Sequence, residues 1–304
     1  MSNYNLKSIK AEFKAKGIFY TTSELAEYMK SLIDIDYNEV YDPTSGDGGL
    51  LSVFGDEVKK YGQEINEHQL TAANSRLINF EGYCGDTLKN PYFKDKKFKC
   101  IVANPPFSIE WEQPILNGIF TDERFKNIPV LPPKSKADYA FILHCLYYLD
   151  DNGIAIILNF PGILYRGQSE GLIRRWIIEQ NYIDKVIRIP GKTFVDTTIE
   201  TAIIVFKKNK KTTDILFIDT EIKKERVVGI DEVISSDYVL SVRRYVQTEN
   251  EITICDPIKL QADARNGMIK KLQKDIEIDK MVCEMEGFDF NEYIKALKSL
   301  LAEY

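Results

Sequence analysis

Val40-Tyr41-Asp42-Pro43-Thr44-Ser45-Gly46-Asp47-Gly48-Gly49 runs from a short apolar segment into a glycine-rich turn, and Leu50-Leu51-Ser52-Val53-Phe54 follows as a helix start. The order strand, glycine loop, helix opens a doubly wound α/β sheet and places the loop at the edge where such sheets bind ligands. Glycine carries no side chain and tolerates positive φ, so a backbone built this way approaches a ligand closely. A nucleotide-type cofactor is the natural occupant.

Two cofactors compete for that loop. For a nicotinamide dinucleotide, the third glycine of Gly-x-Gly-x-x-Gly would fall at Leu51, and Asp42 at the strand end would repel a pyrophosphate. The same carboxylate would hold the cationic amino-acid end of a sulfonium ligand, so S-adenosylmethionine fits better. Asp42, Pro43, Thr44, Ser45, Gly46 and Gly48 are then its expected contacts. Farther on, Glu64 sits at the spacing of about 20 residues at which a second strand's carboxylate reaches ribose hydroxyls. Asp86, in Gly85-Asp86-Thr87, comes after an expected third strand and can accept from an adenine amine. Each acid alone reads more readily as a solvated surface charge, but their order makes them a set.

The short run Cys100-Ile101-Val102-Ala103 ends in Asn104-Pro105-Pro106-Phe107. A stiff Pro-Pro corner at a strand end aims an amide and an aromatic ring into a cleft. An adenine amine is a poor nucleophile because its lone pair is delocalised into the ring. The side-chain carbonyl of Asn104 and the backbone carbonyl of Pro105 can each take one amine hydrogen and turn the lone pair toward an incoming methyl group, with Phe107 stacked on the base. On the four residues alone, a plain strand-ending turn explains them as well.

Taken together, these segments resemble the modification subunit of type I restriction-modification systems, within the gamma-ordered adenine-N6 DNA methyltransferases. The resemblance spans about Gly17 to Asp219 and includes Gly17-Ile18-Phe19-Tyr20-Thr21-Thr22, the loop from Asp42 to Gly49 and Asn104 to Phe107. It continues through Lys134-Ser135-Lys136-Ala137-Asp138-Tyr139-Ala140-Phe141, Gly162-Ile163-Leu164-Tyr165-Arg166, Glu170, Ile173-Arg174 and Val186-Ile187-Arg188-Ile189-Pro190. It implies cofactor contacts at Phe19, Tyr20, Thr21 and Asn104, catalytic roles for Asn104, Pro105, Pro106 and Phe107, and adenine rather than cytosine as target. It also implies a DNA substrate and a separate specificity subunit. Two other readings stay open: methylation of a protein glutamine amide, which the segments beyond residue 130 disfavour, and a non-catalytic cofactor-bound scaffold, which the intact corner disfavours.

With 304 residues, 44% apolar and 28% charged, the chain can bury one large core plus an appendage. No apolar run approaches a membrane span and the N-terminus has no signal-peptide stretch, so a cytoplasmic protein is expected. Five scattered cysteines without a Cys-x-x-Cys pair, and only His68 and His144, leave no raw material for a metal site. The net charge of −6 is unusual for a DNA-binding chain, since phosphate neutralisation drives affinity. Among the basic clusters, Lys134 and Lys136 are the expected DNA contacts because their loop follows the catalytic corner. Lys207 to Lys211 reads as a hairpin connection. The overall acidity points to a partner for gripping DNA.

The expected fold is a doubly wound, seven-stranded Rossmann-like methyltransferase sheet with a small C-terminal helical appendage. Residues 1–36 form an N-terminal helical segment in which Thr21 to Glu24 makes a capping box, 37–240 the methyltransferase domain and 241–304 a helical arm for a partner. Apolar runs at Val40, Ile101, Ile154 to Leu158, Val186 and Ile203 to Phe206 supply buried strands, and Ile215 to Ile218 a late edge strand. The Pro-rich loop from Ser108 to Lys136 is long enough to be functional. The 68 residues from Asp237 to Tyr304 are fewer than a separate recognition domain of about 100 residues needs, which again implies a partner.

Overall fold

The computed structural model describes residues 21–116, 119–191, 200–247 and 257–301. Its contacts divide the chain into two compact units, Met1–Gln247 and Thr248–Tyr304.

Among the described residues, the first helix of this unit is α1 (Ser23–Ser31), whose cap is Thr22 rather than Thr21. The Thr22 side chain accepts from the Leu25 backbone N–H, satisfying one orphan donor of the first turn. Leu25, Ala26 and Met29 recur on one face and are buried. Strand β1 (Glu39–Asp42) leads through the glycine loop into β2 (Lys59–Glu64). The helix expected after Gly49 is a single 3-10 turn, Leu51–Val53.

Next come α2 (Glu67–Arg76), β3 (Phe80–Cys84) and β4 (Phe98–Ala103). The segment after β4 holds a small hairpin, β5 (Ile115–Leu116) with β6 (Ile119–Phe120), and a 3-10 turn at Glu123–Phe125. It is followed by α3 (Asp138–Tyr148), β7 (Leu149–Asn159), α4 (Gln168–Glu179), β8 (Ile183–Ile189), β9 (Thr201–Lys207), β10 (Ile215–Asp219) and β11 (Lys224–Val228). Two short helices, α5 (Ile230–Ser235) and α6 (Val242–Tyr245), close the unit.

The described strands of the large sheet number nine, in the order β11-β10-β8-β9-β7-β4-β1-β2-β3. Seven of them match the expected sheet and an eighth, β10, is the expected late strand at Ile215. Strand β11 pairs outside β10, so the edge is β11 and not the Ile215 strand. Strand β9 is antiparallel to both neighbours. Lys207 to Lys211 is therefore not a hairpin: β9 and β10 flank β8, and Lys210 donates to the carbonyls of Ile183 and Asp214 as the connection passes the start of β8.

Alternation along each strand sends side chains to two cores. Val40, Val102, Ile154 and Ile156 pack with Leu25 and Met29 of α1 and Ala73 and Leu77 on the other helix of that face. Tyr41, Ile101, Ala103, Ala155 and Ile157 pack on the opposite face with α3 and with Ile173 and Ile177 of α4. Helices thus cover both faces, and the parallel strands β1, β2, β3 and β4 all end at one edge.

The second unit consists of α7 (Pro257–Glu286) and α8 (Phe290–Leu301). Gly287, at φ +75°, supplies the left-handed residue that ends α7. Tyr293 donates its hydroxyl to Asp279 across the turn, and Met268, Leu272, Met281 and Met285 are exposed. No described helix is long and apolar enough to cross a membrane.

Candidate active site

A cavity of about 360 Å³ opens at the C-terminal ends of β1 to β4. Its lining includes Thr21, Asp42, Pro43, Thr44, Ser45 and Gly46, then Glu64, Asp86 and Thr87, and finally Asn104 and Pro106. Eleven expected site residues, scattered over the first third of the sequence, are brought to one place. Phe19 and Tyr20 lie outside the described residues. Gly48, Pro105, Phe107, Lys134 and Lys136 do not line the cavity.

Each exception has a physical reason. Gly48 has φ +81°, and an added Cβ would lie 2.8 Å from Leu77 Cδ1, so its glycine serves packing against α2 rather than close approach to a ligand. Pro105 is buried beneath the corner, and Phe107 packs half-buried against the core that contains Val102 and Leu158. Lys134 is exposed and Lys136 half-buried on the turn before α3. Burial raises the nearby Glu170 carboxyl against the opposing charges of Arg166 and Lys136.

Hydrogen bonds set the loop geometry. Asp42 Oδ1 accepts from the Thr44 backbone N–H at 2.9 Å and from the Thr44 hydroxyl at 3.3 Å. Glu64 receives the Gly46 N–H at 2.9 Å on one oxygen and the Asn66 N–H at 2.8 Å on the other, so it ties the β2 end to the glycine loop. Thr87 donates to the Pro43 carbonyl, and Asp86 Oδ1 accepts from the N–H groups of Leu88 and Lys89. Burial pushes the Asp42 carboxyl up to about 7 against the Thr44 hydrogen bonds, and the nearby Glu64 charge adds to the rise. Burial also raises Glu64. Two close, desolvated carboxylates create a strong local demand for positive charge.

Asn104 directly follows β4 on the opposite wall, where its Nδ2 donates to Thr21 Oγ1 at 3.0 Å. The next residues are pinned from behind. Ser108 adopts φ +52°, donates its N–H to Asp138 Oδ1 at 3.0 Å and its hydroxyl to Oδ2 at 3.3 Å. Arg166 approaches both Asp138 and Glu170 and donates to Ser108 Oγ.

Sequence reasoning missed the other walls. Gln63 is fully buried, and its amide accepts from Tyr92 N–H and donates to Asn90 O, fixing the loop after β3. Ile109, Glu110, Trp111 and Glu112 of the long loop line the cavity, and Lys89 bridges to Glu112 at 2.7 Å. Arg124 is buried and donates to the carbonyls of Thr87 and Leu88, to Asp122 and to His144 Nδ1. Burial, then the Arg124 charge, depresses the His144 pKa, so its ring is neutral and Nε2 donates to Tyr41 Oη. The signal for Trp111 was present in the loop's aromatic content. Arg124 left none, because its partners lie in distant segments.

Among the described residues no group of His, Cys, Asp and Glu could hold a metal ion. The lining does fit S-adenosylmethionine: carboxylates for a cationic end, and Leu88, Ile109, Trp111 and Phe141 as apolar surface for a base.

Known proteins are similar to this chain in sequence and in fold. The chain is 33% identical to the type I restriction enzyme MpnII methylase subunit of Mycoplasma pneumoniae, over 88% of this chain and 61% of that protein. It is 27% identical to the HindI methylase subunit of Haemophilus influenzae, over 96% of this chain and 70% of that one. The solved type I restriction-modification methyltransferase subunit from Streptococcus thermophilus superposes with a TM-score of 0.68 at 29% identity, over 75% of this chain and 59% of that chain. The chain therefore spans about three fifths of the length of the first of these relatives. The family model for N-6 DNA methylases matches residues 3–228, and the chain belongs to that family.

Proposed function

We propose that this protein transfers a methyl group from S-adenosylmethionine to the exocyclic amine of adenine in DNA, working with a separate specificity subunit. The observation that carries the reading is that one cavity is lined both by the Asp42 to Gly46 loop, Glu64 and Asp86 and by Asn104 and Pro106. Any cofactor held by the acids lies beside the corner that presents hydrogen-bond acceptors.

Asp42 and the loop through Gly46 hold the charged amino-acid end, Glu64 the ribose, and Asp86 and Thr87 the base. When bound, the cofactor supplies an electrophilic methyl group on a sulfonium sulfur. Asn104 Oδ1 and the Pro105 carbonyl accept the two amine hydrogens, which localises the nitrogen lone pair and stabilises the positive charge that grows on nitrogen as the N–C bond forms. The excess amine proton then leaves to water. Phe107 stacks on the flipped base, whose extrusion lets a buried corner reach an atom otherwise held inside the duplex. Lys134 and Lys136 contact the phosphate backbone.

The remaining assignments follow the same reading. Residues 37–240 carry catalysis, and the helical C-terminal unit, with its exposed apolar residues, docks the specificity partner. The setting is the cytoplasm. With tritium-labelled cofactor and duplex DNA carrying the host's recognition sites, the assembly purified from its host is expected to place label on adenine. Asn104→Ala should abolish transfer while cofactor binding stays measurable by calorimetry. Transfer by that variant at the parental rate contradicts the role of Asn104, and label on protein glutamine instead of DNA contradicts the substrate.

A further inference from the structure

We propose that Thr21 is a positioning residue that holds the Asn104 carboxamide with its oxygen toward the amine being methylated. The proposal rests on the reading above and adds to it the group that decides which end of the amide faces the substrate.

An asparagine amide has two ends of nearly equal shape and opposite character: the oxygen accepts and the nitrogen donates two hydrogens. A half-turn about the last side-chain bond would set N–H donors against an amine that itself donates, and the acceptor would be lost. Asn104 Nδ2 donates to Thr21 Oγ1 at 3.0 Å across 83 positions of chain, so the donor end is engaged by the segment leading into α1. Thr22, its neighbour, uses its hydroxyl to cap that helix at Leu25. Two consecutive threonines thus divide the work, one fixing the helix start and the other reaching the catalytic corner. Both Thr21 and Asn104 line the cavity, so the contact sits in the wall that the substrate amine must face. The bond as it stands uses Oγ1 as acceptor, which spends an amide N–H on the cavity wall instead of on the substrate.

The test compares Thr21→Val, which keeps the size and removes the acceptor, with Thr21→Ser, which keeps the acceptor, in the full chain with its host partner. At saturating cofactor and DNA, Thr21→Val is expected to lower kcat about tenfold, the worth of one hydrogen bond, and Thr21→Ser to stay within about threefold of the parent. An Asn104→Asp background, whose two carboxylate oxygens are equivalent, should lose most of the response to Thr21→Val. A readout independent of turnover is the exchange of the Asn104 side-chain amide protons in a chain labelled with 15N-asparagine. Slow exchange is expected in the parent and in Thr21→Ser, and fast exchange in Thr21→Val. Normal methyl transfer with unchanged kcat and unchanged protection in Thr21→Val overturns the positioning role and leaves the functional reading standing. A parent assembly that moves no methyl group to adenine overturns that reading and this role together.

Discussion

Ser108 donates its backbone N–H to the fully buried carboxylate of Asp138 at 3.0 Å, immediately after the Asn104 to Phe107 corner and at the first residue of α3. The same carboxylate accepts the Ser108 hydroxyl and faces Arg166 at 3.6 Å, so one side chain fixes the left-handed turn that ends the corner. Asp138→Ala leaves a buried N–H unpaired and Arg166 short of a partner. The expected cost is about 2–4 kcal/mol in urea unfolding, with a fall in methyl transfer beyond what the loss of folded protein explains. Asp138→Asn keeps an acceptor for Ser108 and should recover most of the stability.

Asp42 gives a pH signature. Its carboxyl is pushed up to about 7 by burial, so the folded protein without ligand holds a proton there that the unfolded chain has released above about pH 4. Stability contributed by this group therefore declines as pH rises from about 4 to 7, because the folded state binds more protons than the unfolded one. A cationic ligand favours the charged carboxylate. Cofactor affinity measured by calorimetry should accordingly rise by up to about tenfold per pH unit below 7 and level off above it. Asp42→Asn should bind weakly at every pH and flatten both dependences.

The two left-handed glycines of the loop should fail differently. At Gly48, a methyl group adds left-handed strain and meets Leu77 at 2.8 Å and Ala73 at 3.3 Å, so Gly48→Ala should destabilise by about 2–4 kcal/mol. At Gly46, φ is +53° and the nearest atom to an added Cβ is the mobile end of Gln69 at 3.1 Å. Gly46→Ala should therefore cost about 1–2 kcal/mol of stability and show its main effect as weaker cofactor binding, because that position lines the cavity. Thermal melts and cofactor titrations on both variants check the contrast.

What the sequence displayed was what local pattern can carry. Asp42 and Asn104 were readable because each directly follows an apolar run, Glu64 by its spacing from Asp42 and Asp86 by its place after a third strand, and a parallel sheet gathers such ends at one edge. Strand β11 was hidden because four of its five residues are exposed, which leaves no apolar alternation to read. The cap of α1 was displaced by one residue because Thr21 serves a partner far along the chain. Arg124 and Gln63 were invisible for the same reason: their value lies in bonds to backbone carbonyls and N–H groups of distant loops, which no local spacing encodes.

The central claim is that cofactor and catalytic corner share one cavity, and a crystal structure with S-adenosylhomocysteine tests it most directly. The account predicts the ligand's amino-acid end against Asp42, its ribose at Glu64, and its sulfur facing Asn104 and Pro105 with room for one methyl group and an amine at an attack distance of about 3–3.5 Å. A ligand bound elsewhere, or a sulfur turned away from Asn104, would contradict it.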